Sequence, residues 1–190
     1  MATYLTAANL LTAIRALIIV PCALAVAREH WLLAAALFAV AALSDFFDGR
    51  VARARGQTSA LGGLFDHATD ALFVAATLAA AASHHQVTLI LPPLVLLAFA
   101  QYALDSSVLQ GRALRGSALG RVNGIGYFVL AGFAIGVPCL RALLPAAAPV
   151  MDLLAQAAWL ASLALCLTTV LSMANRARYW WLYRPGGRLS

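Results

Sequence analysis

Lysine is absent from this chain, and charge of any kind is scarce. Of its 190 residues 11% are charged, and all 13 basic side chains are arginine. A soluble domain carries about a quarter charged residues and is roughly half apolar, whereas 63% of this chain is hydrophobic. That excludes a soluble basic domain of the kind that binds nucleic acid. The formal net charge of +6 suits an anionic membrane surface or a phosphate-bearing substrate instead. Cysteine is also sparse. Cys22, Cys139 and Cys166 lie scattered in apolar runs, with no CxxC and no zinc-ligand spacing, and read as small buried side chains. The histidines do not repeat at ligand spacing, and His84 and His85 read as solvated loop residues.

What the chain does have is apolar length. Six stretches are expected to span a membrane: about Leu10–Ala27, Trp31–Arg53, Gly62–Ser83, Val87–Leu104, Gly120–Leu140 and Met151–Ala174. At about 1.5 Å rise per residue, some 20 residues cross a hydrocarbon core of about 30 Å. The expected fold is therefore all-α, a polytopic membrane protein with about six transmembrane helices in one domain, residues 1–190. Arg15, the run Ala16–Leu24 and Ala25-Val26-Ala27 imitate a signal peptide, but removing them would take away a span and unbalance the arginines. Those arginines cluster between the second and third spans, between the fourth and fifth, and in the tail; the opposite loops hold only Arg28 and Arg141. The positive-inside rule then puts both termini on the cytoplasmic side. Gly124, Gly126, Gly132 and Gly136 in the fifth span suit close helix contact.

Four of the seven acidic residues, Asp45, Asp48, Asp66 and Asp70, fall within Ser44–Asp70, with Arg50, Arg53 and Arg55 between the two pairs. The i,i+3 and i,i+4 spacings put each pair on one helix face. The pairs lie at similar depth on consecutive antiparallel helices, so four carboxylates can converge near the cytoplasmic surface. Acids at membrane depth mark functional sites. Clustered carboxylates repel one another, and hard divalent cations such as Mg²⁺ or Mn²⁺ resolve this while bridging phosphates. Two such ions can clamp a diphosphate, Arg53 can pair with its charge, and Gly49 and Gly62, lacking Cβ, allow a nucleotide close to the backbone. Pairing of these acids with the neighbouring arginines alone would require neither the glycines nor the fixed spacing.

The pattern Asp45-x-x-Asp48-Gly49-x-x-Ala52-Arg53, eight residues, Gly62-x-x-x-Asp66-x-x-x-Asp70 resembles the signature of the CDP-alcohol phosphotransferase family, integral membrane enzymes of phospholipid synthesis. The resemblance implies that Asp45, Asp48 and Asp66 bind metal and that Asp70 binds metal and deprotonates the acceptor alcohol. It implies that Gly49, Arg53 and Ser59 contact the CDP part of the donor, that CMP leaves, and that the protein is a homodimer in the bacterial inner membrane with a cytoplasmic-facing polar cavity. Asn9-x-x-Thr12-x-x-Arg15 is similar to family openings near the nucleotide, and reads equally as a helix cap followed by one snorkelling arginine.

The acceptor is less legible. Arg112, Arg115 and Arg121, with Arg176 and Arg178, would suit a phosphate on the acceptor if they fold over the acids. That favours glycerol 3-phosphate with CDP-diacylglycerol as donor, or an inositol phosphate as acceptor. The Phe65-Asp66-His67 step instead resembles choline/ethanolamine phosphotransferases, where His67 would help activate a diacylglycerol hydroxyl. A small cation or solute transporter also combines intramembrane acids with arginine, but the motif acids fall in one half of the chain and no inverted repeat is visible.

Overall fold

The computed structural model describes residues 7–55, 60–105 and 117–182, with side chains described over 12–44, 62–104 and 117–178. Among these the secondary structure is helical: α1 (Ala7–Ala27), α2 (Trp31–Arg55), α3 (Ala60–Ser83), α4 (Leu91–Asp105), α5 (Ala118–Leu143), a 3-10 turn (Pro145–Ala147) and α6 (Ala148–Leu182). α1 packs on α2 and α3, α5 on α6, and α4 on α3 and α6, while α2 and α3 both touch α5.

Two helices end in the same way. After α1, His30 N–H donates to Ala25 O at 2.8 Å and Glu29 N–H to Val26 O at 3.0 Å. After α3, Gln86 N–H donates to Ala81 O at 3.2 Å and His85 N–H to Ala82 O at 3.0 Å. Both are Schellman turns, which place one residue in the left-handed region; here those residues are Glu29 and His85, each at φ 58°. His84 ties the turns together, its Nε2 3.2 Å from Ala27 O and its Nδ1 3.5 Å from Glu29 Oε1. It also meets Trp31 edge to face. The expectation that both histidines are solvated thus holds for His85 but not for His84, which its neighbours draw in.

α4 starts at Leu91, not at Val87 as expected. Pro92 and Pro93 supply no amide hydrogen and are tolerated only in a first turn. The preceding residues form a loop, anchored by Thr88 N–H donating to Ser162 Oγ of α6 at 3.1 Å. α5 is capped by Ser117, whose Oγ accepts from Gly120 N–H at 3.0 Å.

Small residues set the helix spacing. Ala25, Ala34, Ala41, Ala81, Ala82, Ala131 and Ala134 are buried among Cys22, Val26, Phe73, Leu78 and Ile135. Phe38 of α2 stacks against Phe128 of α5 (centroids 4.8 Å apart) and Phe73 of α3 (5.7 Å). The α5 glycines divide. A Cβ at Gly132 would lie 3.3 Å from the Phe38 ring and one at Gly126 2.8 Å from Leu165, whereas Gly124 and Gly136 face open space. Polar contacts staple α5 to α6: Ser117 to Ser172, Tyr127 to Thr169, and Arg141 to Asp152 at 2.6 Å across the 3-10 turn.

The outer surface is apolar. Leu17, Leu32, Leu43, Leu104, Ile125, Leu160 and Leu167 are all more than half exposed, an arrangement suited to lipid contact and not to water. Gly62–Ser83, Ala118–Leu143 and Pro145–Arg178 are long and apolar enough to cross a membrane; Thr12–Ala27, Trp31–Ser44 and Leu91–Leu104 are shorter apolar helices. The chain is thus an all-α polytopic membrane protein with three clear spanning helices among the described residues, where six were expected. The stretches Thr12–Ala27 and Trp31–Ser44 are bounded by the described residues, whereas the proline pair delays the start of α4.

The glycine division predicts opposite outcomes. Gly126→Val should lose about 1–3 kcal/mol of stability through overpacking against Leu165, whereas Gly136→Ala should lose none. Thermal unfolding in detergent measures both, and equal midpoints would contradict the assignment of the α5–α6 contact.

Candidate metal and acceptor site

α3 begins with an apolar run interrupted by Asp66, His67 and Asp70. The i,i+4 spacing stacks the two carboxylates on one face, with His67 next to the first. One ligand atom from each of the three lies within 4.8 Å of the others. Two hard oxygens and an imidazole form a donor set that a divalent cation such as Mg²⁺ or Mn²⁺ can use. His67 is the member that sequence reading had assigned to the acceptor and not to a metal.

The partner of these carboxylates in the fold is Arg15, the one charged residue of α1. Its Nη1 donates to Asp66 Oδ1 at 3.0 Å and also to Asp70 Oδ1. Arg15 is 1% exposed, while the two aspartates are 34% and 35% exposed. The snorkelling reading is therefore corrected, because the guanidinium is buried along with its stem. An arginine in an apolar helix is tolerated where it meets acid, and the α1–α3 contact brings the acid to it. A lone arginine within an otherwise uncharged helix was the available signal.

Four of the other expected site residues lie on α2. Asp45, Asp48, Gly49 and Arg53 are within that helix, but their side chains lie outside the described residues, as does Ser59. Gly62 lies in the first turn of α3.

From Asp70 and His67 a cavity of about 750 Å³ opens between α3, α4, α5 and α6, reaching Arg121 and Arg176. Two of the arginines expected to fold over the acids thus reach the same space. Arg178 does not line it, and Arg112 and Arg115 lie outside the described residues. Tyr102, which no sequence pattern singled out, stands between the two ends. The Arg176 guanidinium lies 5.0 Å from its ring centroid, and His67 approaches the ring at 80° with centroids 5.9 Å apart. A cation over an aromatic face is held there electrostatically, so Tyr102 fixes Arg176 relative to the acidic end. A second cavity of about 440 Å³, lined by Glu29, Trp31, His84 and Arg141 among others, lies at the opposite end of α3.

Arg15 and a bound cation would compensate the same two carboxylates. Arg15→Met should therefore lower stability in chelator by about 1–2 kcal/mol, a figure reduced because the aspartates are partly exposed. Added Mg²⁺ should recover more of the thermal midpoint in the variant than it adds to the wild type. An identical Mg²⁺ shift in the two proteins would contradict this account.

Searches of curated protein sequences and of solved structures returned no significant match. The sequence profile described as CDP-alcohol phosphatidyltransferase, however, matches residues 5–170. That interval contains α1 through α5, the Asp66–His67–Asp70 cluster, Arg15, and the greater part of α6. With most of its length matched, this chain belongs to the CDP-alcohol phosphatidyltransferase family.

Proposed function

We propose that this protein transfers a phosphatidyl group from CDP-diacylglycerol to glycerol 3-phosphate with release of CMP, as a single catalytic domain over residues 1–190. Family membership implies a phosphotransferase-type enzyme. The observation that carries the choice of acceptor is one cavity lined by His67 and Asp70 of the donor set at one end and by Arg121 and Arg176 at the other. Guanidinium groups recognise phosphate through paired N–H donors, which favours an acceptor that itself bears a phosphate.

In this reading Asp45, Asp48, Asp66 and Asp70 hold two Mg²⁺ or Mn²⁺ ions, which supply positive charge to the donor diphosphate and template donor and acceptor. Gly49, Arg53, Ser59 and Gly62 bind the CDP moiety. Asp70, as a carboxylate, takes the proton from the acceptor hydroxyl as its oxygen bonds to the phosphorus that carries diacylglycerol. The bond from that phosphorus to the oxygen bridging it to CMP breaks, and CMP leaves with the electron pair. Arg15 orients Asp66 and Asp70 from the side of α1. The protein lies in the bacterial inner membrane, with the termini and site on the cytoplasmic side where arginine accumulates, and acts as a homodimer.

His67 supports a second reading. An imidazole beside Asp66 and Asp70 that also lines the cavity is placed to help activate a diacylglycerol hydroxyl, with a CDP-aminoalcohol as donor.

CMP release by the purified protein, with Mg²⁺ or Mn²⁺ and CDP-diacylglycerol, tests these readings against glycerol 3-phosphate, inositol, inositol phosphate and serine. Glycerol 3-phosphate is expected to give acceptor-dependent CMP. Asp70→Asn should lower turnover by about 10²–10⁴-fold, the usual contribution of a general base, while donor binding persists. Near-normal turnover in that variant would remove Asp70 from the base role. CMP release only with CDP-choline or CDP-ethanolamine and diacylglycerol would favour the second reading.

A further inference from the structure

The cavity of about 440 Å³ at the end of α3 away from the acids has no part in the proposed reaction. Its lining changes character with depth. Glu29, Trp31, His84, Gln86 and Arg141 form its polar mouth, and each lies at a helix end or in the turn beyond one. Phe133 of α5 and Ala158 of α6 form its floor, each ten residues from the end of its helix at the α5–α6 turn. At about 1.5 Å rise per residue that is about 15 Å into the apolar part of the bundle. Between the two levels the wall is small or aliphatic, with Ala134, Val137 and Ala155. The cavity is open, with Phe133 46% exposed on its wall. Its volume falls within the range of about 300–1,000 Å³ usual for ligand sites. A small polar ligand would leave the apolar floor against water, which is unfavourable. In a membrane protein, polar groups at the helix ends with an apolar slot beneath them match a lipid, headgroup at the interface and acyl chain below.

The charges at the mouth are accessible to a ligand, since the Glu29 side chain is 63% exposed and that of Arg141 54%. Arg141 Nη1 donates to Asp152 Oδ1 at 2.6 Å. That engages one of the five N–H donors of a guanidinium, and the others can take a phosphate. His84 Nδ1 lies 3.5 Å from Glu29 Oε1. This contact steadies a carboxylate that can accept further hydrogen bonds from an ammonium group. One acid and one base at one mouth match a headgroup that carries both charges better than a purely anionic one. We propose that this cavity binds phosphatidylethanolamine, with the phosphate at Arg141, the ammonium at Glu29 and an acyl chain along Ala155 and Phe133. The site is separate from the cavity read as the acceptor site, and its test needs no turnover.

The test is native mass spectrometry of the full-length protein in detergent, titrated with dioleoyl phosphatidylethanolamine and, separately, dioleoyl phosphatidylglycerol. The wild type should bind one phosphatidylethanolamine about three- to fivefold more tightly than phosphatidylglycerol, the ratio that one partly exposed ion pair supplies. Glu29→Gln should remove that preference. Arg141→Gln should weaken both lipids by about threefold or more, because both carry the phosphate. Asp152→Asn should not weaken either, since it frees the guanidinium; a pair that only staples α5 to α6 would make these two variants behave alike. Ala155→Phe, which fills the slot, should weaken both lipids, whereas Leu160→Phe on the exposed apolar surface should not. The proposal is overturned if the wild type binds phosphatidylglycerol as tightly, if Glu29→Gln keeps the preference, or if Arg141→Gln and Asp152→Asn weaken binding equally. Should Ala155→Phe fail to fold, the three substitutions at exposed charges still decide the outcome.

Discussion

Arg15 lies within a helix that offers it no counter-charge, and the rest of the arrangement depends on how that charge is met. A guanidinium at 1% exposure cannot be solvated by water, so α1 has to lie where another element brings acid to it. Asp66 and Asp70 do so, one helical turn apart on α3. The same ion pair fixes the rotation of α3, which turns its two carboxylates toward α1 and leaves His67 and Asp70 on the wall of the cavity. Fold and candidate site thus share one electrostatic constraint, since a change in the α1–α3 register would separate both at once.

The opposite wall is built differently. α5 and α6 are held by neutral polar pairs, Ser117–Ser172 and Tyr127–Thr169, and by close approach at Gly126. Beside the cavity these neutral contacts close the helix hairpin without placing charge in it, and the Arg141–Asp152 ion pair closes its far end. Charge enters this half of the cavity at Arg121 and Arg176, the latter held over Tyr102 of α4. Acid therefore lies on the α3 side and base on the α5–α6 side. Under the proposed reading, the donor diphosphate belongs at the acidic end and the acceptor phosphate at the basic end of one space.

Much of this was legible in the amino-acid sequence because membranes restrict what a chain can do. Apolar runs and arginine punctuation located the helices to within a few residues, and the Asp66–Asp70 spacing placed both acids on one face. The family followed from the motif and is the one whose profile matches the chain. The less legible features are those that depend on contacts between helices. Arg15 read equally as a snorkelling or a nucleotide-side residue, because its partners lie 51 and 55 positions away. Tyr102 belongs to no pattern; its importance comes from the cavity it lines. The start of α4 was misplaced because Val87–Ile90 is apolar enough for a helix, although the proline pair that follows delays it. The α5 glycines looked equivalent in the sequence and are not, since helix rotation turns only Gly126 and Gly132 toward a neighbour.

The Schellman turns that close α1 and α3 have a mechanical consequence. His84 connects them at one end, and Arg15 connects the same two helices to each other some 12 residues earlier along α1, a separation of about 18 Å. Two parallel rods fastened at two well-separated points can neither slide nor pivot independently, so α1 and α3 form one stiff jaw. Across the cavity, α4 packs on both α3 and α6 and is tied to α6 by the Gln101–Met173 hydrogen bond, so it couples the jaw that carries the acids to the helix that carries Arg176.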